Sequence, residues 1–384
     1  MQRASFRKGC ESTAAGLYGG KMELSKVSSE KIRHANNFGA IRLILAALVV
    51  YHHSYSLSVG NLHHELWTAL TSTFGPGTVA VFGFFTLSGF LITQSWCRQP
   101  KLYSFCLNRF LRIYPGYAVS AIVTIFLIGW LGSDVPDYFQ RLPKAQLIKC
   151  IGFFVIPQGF PSFGGQTIPG NLNGAVWTIA FEAICYMLVA FAGATRLLRR
   201  SNAWLVVFVA SLAVRRIDMV AMVSPWIRPP YCYLFSGISS LIPFFLAGMC
   251  YYLYQERLRP TRVGVILMAS LLLGSVFNKE LAPIGYAIAG SYLLFTFAFA
   301  EIPWLRPIGQ RVDLSYGIYL YHWPCQQLLL RYLPDLSPLA LFPLSLAAAS
   351  GLAWLSWHLV ESPCLRLRRR GTNPSALKDG LGAP

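Results

Sequence analysis

The sequence predicts an all-α protein, a polytopic transmembrane helical bundle of about ten spanning helices. Three observations predict it. Apolar runs of roughly 20 residues, the length that crosses a hydrocarbon core, recur along most of the chain. Of 384 residues, 54% are hydrophobic and only 12% charged, about half the charged fraction of a soluble domain. The remaining charge is basic, net +18, and gathers between apolar runs as it does in cytoplasmic loops. No nucleic-acid motif accompanies it. The lipid bilayer, and no nucleic acid, is the expected large-scale partner.

Residues 1–35 are polar, basic and rich in Gly and Ser, and carry no cleavable signal peptide. They read as a disordered cytoplasmic leader, with Met22 as an alternative start. The spans follow at about 38–57, 76–96, 111–131, 174–195, 202–216, 231–254, 262–277, 281–300, 315–332 and 338–360. The fifth is short and ends at Arg215, Arg216 and Asp218. The stretch 146–156 is apolar but too short to span, which makes it an interfacial or re-entrant piece. Segment 157–173, rich in Gly, Pro and aromatics, reads either as a cover over an acceptor site or as a plain surface loop. Glu361-Ser-Pro363 reads as a helix stop and anchor before Arg366, Arg368, Arg369 and Arg370, and 369–384 as a cytoplasmic tail.

Ten spans with both termini cytoplasmic put the clusters Lys26–Arg33, Arg98–Arg109, Arg196–Arg200, Arg257–Arg259, Arg306–Arg311 and Arg366–Arg370 all inside. Counting 146–156 as an eleventh span would move Arg196–Arg200 outside. Arg141, Lys144, Arg215 and Arg216 are the exceptions that fall outside in the ten-span arrangement. The nine cysteines are scattered, with no CxxC or Cys/His ligand spacing; they read as small core residues, and no metal is expected.

Ionisable residues inside the spans are the candidates for chemistry. Arg42 and His53 share the first helix. Eleven residues at about 100° each return position 53 to within roughly 20° of position 42, about 16 Å along the axis. Both side chains therefore point the same way, Arg42 near the cytoplasmic end and His53 deeper. An anionic donor threaded along that face is one reading; a snorkelling Arg42 and a packing His53 are the other. His52 lies beside His53 but off that face. In Phe84-Phe-Thr-Leu-Ser88-Gly89-Phe90, Ser88 and Gly89 permit close helix approach, and Ser88 lacks the adjacent base of a nucleophile. Arg109 and Arg112 share a helix face at a membrane boundary, placed to grip phosphates or to anchor the chain. Glu182, about two turns inside the fourth helix, must be protonated, paired or wet; it is placed to orient His53, to bind a sugar hydroxyl, or to form a structural ion pair. Tyr319, His322 and Trp323 make either an interfacial aromatic belt or a carbohydrate platform.

Taken in order, these segments resemble acyltransferase family 3. The matching elements are Arg42 with ten residues and then His53, Phe-Phe-x-Leu-Ser-Gly-Phe at 84–90, and Arg109-x-x-Arg112 before Tyr-Pro. Trp177-Thr-x-x-x-Glu182, Ser-Tyr-Gly-Ile-Tyr-Leu-x-His-x-Pro at 315–324 and Glu-x-Pro at 361–363 complete the set. The resemblance covers about residues 36–368, a membrane acyltransferase domain. It implies a membrane O-acyltransferase, commonly an acetyltransferase of exported or surface carbohydrate such as exopolysaccharide, in a bacterial inner membrane. It implies acetyl-CoA as co-substrate, His53 as the catalytic group, and Arg109 and Arg112 on the acyl-CoA. On this reading Arg42 joins them at the donor, Glu182 assists His53, and Trp177, Tyr319 and His322 bind the acceptor. The rival from a different class is a non-catalytic transporter of an acyl carrier or glycan, which would move substrate without releasing CoA.

Overall fold

The computed structural model describes residues 36–152, 154–221 and 229–371, and their side chains except those of 216–235 and 368–371. The predicted leader, and the predicted tail beyond Gly371, lie outside the described residues.

All ten predicted spans are helices. They are α1 (Phe38–Ser58), α2 (Pro76–Arg98), α3 (Leu102–Leu131), α4 (Trp177–Ala194), α5 (Ser201–Ala221), α6 (Pro229–Leu253), α7 (Arg262–Val276), α8 (Ala282–Ala298), α9 (Ser315–Tyr332) and α10 (from Pro338 through Ser362–Gly371). Six of them are long and apolar enough to cross a membrane, and α5, α7 and α8 are shorter apolar helices. α9 is the exception. It is too polar to meet that standard, yet it is deeply enclosed: from Ser315 to Gln327 all but Tyr316 are buried. It is packed between α1, α10, α3 and the turn that opens α4. Polar groups are tolerated at membrane depth when protein, not lipid, surrounds them. The outer helices show the converse. Val263, Ile266, Leu267 and Leu273 of α7 are largely exposed, an apolar surface suited to lipid.

α2 is the hub, packed on α1, α4 and α6. Its crossing with α6 is reciprocal: a Cβ on Gly89 would strike the Phe245 carbonyl, and one on Gly248 the Thr86 carbonyl. Backbones this close need glycine on both sides. The predicted packing role of Gly89 therefore holds.

Two boundaries differ from expectation. α3 starts at Leu102, nine residues before the apolar run at 111, so Arg109 and Arg112 lie within the helix. Glu361-Ser-Pro363 does not stop α10. Pro363 lacks the N–H that would reach back one turn, but a π turn at Trp357–Glu361 precedes it and widens the ladder so the helix continues to Gly371. Glu361 is consequently buried inside the bundle, accepting from Ser356 Oγ at 3.2 Å. The stretch expected to be interfacial contains a nine-residue helix, Lys144–Gly152, tied to α3 through Tyr117, whose hydroxyl donates to the Cys150 carbonyl.

Segment 157–173 is pinned rather than loose. Thr167 Oγ1 donates to the Leu57 carbonyl at 2.7 Å and Gln166 Nε2 to the Gln327 carbonyl at 2.6 Å. Trp323 Nε1 and Gln327 Nε2 donate to the Asn171 carbonyl at 3.4 and 3.1 Å. At its end, Asn173 Nδ2 donates to the Leu320 carbonyl at 2.8 Å. That carbonyl is the one Pro324 deprives of its helical partner, so the side chain restores the lost bond.

Candidate active site

The first helix behaves as its spacing predicts: Arg42 and His53 both turn toward α9. Arg42 meets Asp313, two residues before α9 begins, with Nη2 to Oδ2 at 3.2 Å. His53 meets His322 in the middle of α9, with Nδ1 2.8 Å from Nε2. The two imidazole planes are nearly parallel, 8° apart, and the edge of Trp323 packs on His53 at 4.8 Å between ring centres. His52 faces elsewhere, against Gly75 and Gly77 at the start of α2, where a Cβ would strike its ring. The helical period thus separates the doublet, with only His53 on α9.

The arginine end is an ion-pair network. Asp313 Oδ2 also takes Arg112 Nη2 at 2.6 Å, and Arg112 Nη1 lies 4.0 Å from Glu361 Oε2. Asp313 further accepts the Ser315 hydroxyl at 2.6 Å. Burial alone would raise the Asp313 carboxyl; the guanidiniums of Arg112 and Arg42 outweigh it and hold the group below its ordinary value. Arg109 Nη2 reaches Ser95 Oγ at 3.5 Å, and its guanidinium lies 5.9 and 6.0 Å from the ring centres of Phe105 and Tyr186. Glu182 Oε1 accepts from Tyr186 at 2.5 Å and Ser88 at 3.2 Å.

The arginines, Glu182, Tyr186 and Ser88 line one cavity of about 150 Å³, with Asp313 and Glu361 behind its wall. Arg42, Arg109, Arg112, Glu182, Tyr186 and Ser88 supply its polar wall, and Val81, Phe84, Phe85 and Ile113 part of its apolar one. On α9 it runs from Ser315 to Tyr319, one turn short of His322. The Tyr319 hydroxyl donates to the Ala175 carbonyl at 2.9 Å and lies 2.6 Å from Thr178 Oγ1, and its ring meets Phe84 at 5.9 Å. Tyr319 therefore stands between the cavity and the histidine pair.

Of the predicted residues, Arg42, Arg109, Arg112, Glu182 and Tyr319 come together on this cavity. His53 and His322 pair just beyond it. Three details depart from expectation. Glu182 does not hold His53, because it sits among Ser88 and Tyr186 in the cavity wall while His322 takes the imidazole. His322 is fully buried with both ring nitrogens engaged, by His53 and the Tyr319 carbonyl, rather than open to the cavity. Trp177 is 39% exposed, packs on Phe181 at 5.7 Å, and does not line the cavity. Sequence reasoning missed Asp313, which bridges Arg42 and Arg112, and Tyr186. Asp313 stands two residues before the Ser315-Tyr316-Gly317 segment, and an acidic residue beside so basic a boundary was its one signal.

The comparisons with known proteins fit this architecture. An O-acetyl transferase from Shigella phage Sf6 is 27% identical over 343 residues, covering 85% of this chain and 95% of that protein. Nodulation protein 10 from Rhizobium leguminosarum bv. viciae is 28% identical, covering 87% and 94%. The peptidoglycan O-acetyltransferase OatA of Listeria monocytogenes is 23% identical over 87% of this chain but only 55% of its own length. No solved structure matches the chain. The profile described as an acyltransferase domain matches residues 36–358, which include His53, the ion-pair network up to Asp313 and all of α9. A multi-pass helical membrane protein, the chain belongs to acyltransferase family 3.

Proposed function

We propose that the protein transfers an acetyl group from acetyl-CoA to a hydroxyl of a cell-surface or exported carbohydrate, with His53 as general base. The observation that carries this reading is the placement of a half-buried imidazole, held by a second one, one helical turn past a cavity walled by three arginines. Acetyl transfer is the activity in the names of two relatives, the phage protein and OatA, and the second name supplies a carbohydrate polymer as acceptor.

The roles follow from chemistry. CoA is too polar to cross lipid, so its nucleotide stays at the arginine end, which lies on the cytoplasmic side of a bacterial inner membrane with both termini inside. Arg109, Arg112 and Arg42 grip the phosphates, the last two by exchanging part of their hold on Asp313. The roughly 16 Å from Arg42 to His53 suits an extended pantetheine arm. The thioester passes Tyr319 and Phe84 to reach His53. The acceptor hydroxyl gives its proton to His53 as its oxygen attacks the acetyl carbonyl. The C–S bond breaks, and the thiolate leaves with that proton as CoA thiol. Glu182, with Tyr186 and Ser88, binds polar groups of the donor arm in the cavity.

The test uses membranes of a deletion strain that re-express the protein, supplied with radiolabelled acetyl-CoA. Wild type should put label into carbohydrate and release CoA that a thiol reagent detects. His53→Ala should lose at least ~100-fold of both, and His52→Ala should stay within a few-fold of wild type. Undiminished transfer by His53→Ala overturns the assignment. Movement of glycan or acyl carrier without CoA release would favour a transporter instead.

A further inference from the structure

We propose that His322 is a positioning residue that fixes His53 in its Nδ1–H tautomer, making His53 Nε2 the atom that takes the acceptor's proton. This rests on the proposed role of His53 and goes beyond it by assigning the reacting nitrogen and the residue that selects it.

The assignment starts from the backbone of α9. His322 Nδ1 lies 2.9 Å from the Tyr319 carbonyl and 3.2 Å from the Ile318 carbonyl. Carbonyl oxygens only accept, so Nδ1 carries the hydrogen. A neutral imidazole has one N–H, and His322 Nε2 is therefore an acceptor. The group facing it at 2.8 Å is His53 Nδ1, which must donate. The single hydrogen of a neutral His53 is then committed to His322, and its Nε2 is left with a lone pair. Two neutral rings satisfy every contact, whereas a charge in so buried a pair would carry a desolvation cost.

The surroundings hold the arrangement. His322 is fully buried and cannot serve as the base itself, whereas His53 keeps accessible surface. Trp323 packs on the His53 ring. A flipped His53 ring would present carbon to His322 and lose its bond. The anchor is firm because the Tyr319 residue that supplies the carbonyl is itself tied by its hydroxyl to the Ala175 carbonyl.

During transfer the acceptor O–H bond breaks and its proton forms an N–H bond at His53 Nε2. The imidazolium keeps its Nδ1–H on the His322 lone pair, a charge-assisted bond stronger than the resting one. When the C–S bond breaks, the Nε2 proton passes to the departing sulfur. Both rings return to their starting tautomers, and protons and electron pairs balance.

The experiment uses the full-length protein in the same membranes, with radiolabelled acetyl-CoA as probe. His322→Phe keeps the ring and removes the acceptor; His322→Gln places an amide oxygen about where Nε2 lies. The expected result for Phe is a fall in maximal rate of at least ~100-fold, with the KM for acetyl-CoA within ~2-fold of wild type and normal thermal stability. Gln should recover at least ~10-fold of that loss. Phe within a few-fold of wild type, or Phe and Gln equally impaired while folded, overturns the proposal. Should Phe not fold, His322→Asn replaces it, since its shorter amide does not reach His53: Gln active with Asn inactive supports the proposal, and equal rates overturn it. His53→Ala runs alongside. If that variant transfers acetyl at the wild-type rate, the general-base reading has failed, and the tautomer assignment falls with it.

Discussion

At one end of the cavity, three guanidiniums stand among three carboxyl groups: Arg42, Arg109 and Arg112 with Glu182, Asp313 and Glu361. Nine residues along the chain from Asp313, beyond the other end, two imidazoles hold each other, and one of them holds a backbone carbonyl. The first end is tied by charges that would be costly to strand. The second is tied by two hydrogen bonds whose value lies in direction. Losing a partner at the arginine end should therefore cost stability and donor affinity, and losing one at the histidine end should cost rate.

The largest expected effect tests the histidine end. His53→Ala should lose at least ~100-fold in maximal rate with little change in thermal unfolding, and a large drop in melting temperature there would break the comparison. Next comes Asp313→Ala, which leaves Arg42 and Arg112 without their shared carboxylate. Removing one partner of a buried pair costs about 3–5 kcal/mol; because both arginines are about a quarter exposed, roughly 1–3 kcal/mol is expected, read as a lower melting temperature. The sign with pH follows from Asp313. Its folded carboxyl titrates below its unfolded value, so its contribution is present above the unfolded carboxylate range, near pH 4, and fades as pH falls through the folded one. Melting of the wild type relative to Asp313→Asn should therefore be constant from pH 6 to 8 and converge only in acid.

A smaller effect is expected from Arg109→Ala, about a tenfold rise in the KM for acetyl-CoA, equivalent to about 1.4 kcal/mol, with the maximal rate changed far less. An unchanged KM would take Arg109 out of the donor site. Trp177→Ala should do least, within about twofold in rate, because that ring is partly exposed and does not line the cavity.

Most of the fold was legible because most of the ten runs are apolar and their ends are marked by charge. What was not legible shows where composition misleads. α3 begins nine residues early because Leu102–Leu111 mixes apolar residues with Ser104, Asn108 and Arg109, which reads as a boundary although the segment is helical. Pro363 looks like a stop, and a π turn absorbs it. At the site, the spacing of Arg42 and His53 carried real geometry, since a helix face depends only on residues within it. Which groups await them on α9 depends on how two distant helices dock. Asp313 could not be matched with Arg42 and Arg112, nor His322 with His53, from periodicity. For the same reason Ser88 and Tyr186 could not be read as the partners of Glu182: its depth in α4 is readable from sequence, its rotation about the bundle is not.

The enclosed polarity of α9 has a consequence for biosynthesis. A helix carrying His322, Gln326 and Gln327 is poorly suited to partition into lipid by itself. Gln326 Nε2 already shows where its acceptors come from, the Val50 carbonyl of α1 at 2.9 Å and the Ser345 hydroxyl of α10 at 3.2 Å. One of those helices is synthesised first and the other last. α9 must therefore be received at the translocon by helices already in the membrane and sealed by the one that follows, so a nascent chain ending at Tyr332 would hold His322 and Gln326 without the wall that keeps them in place.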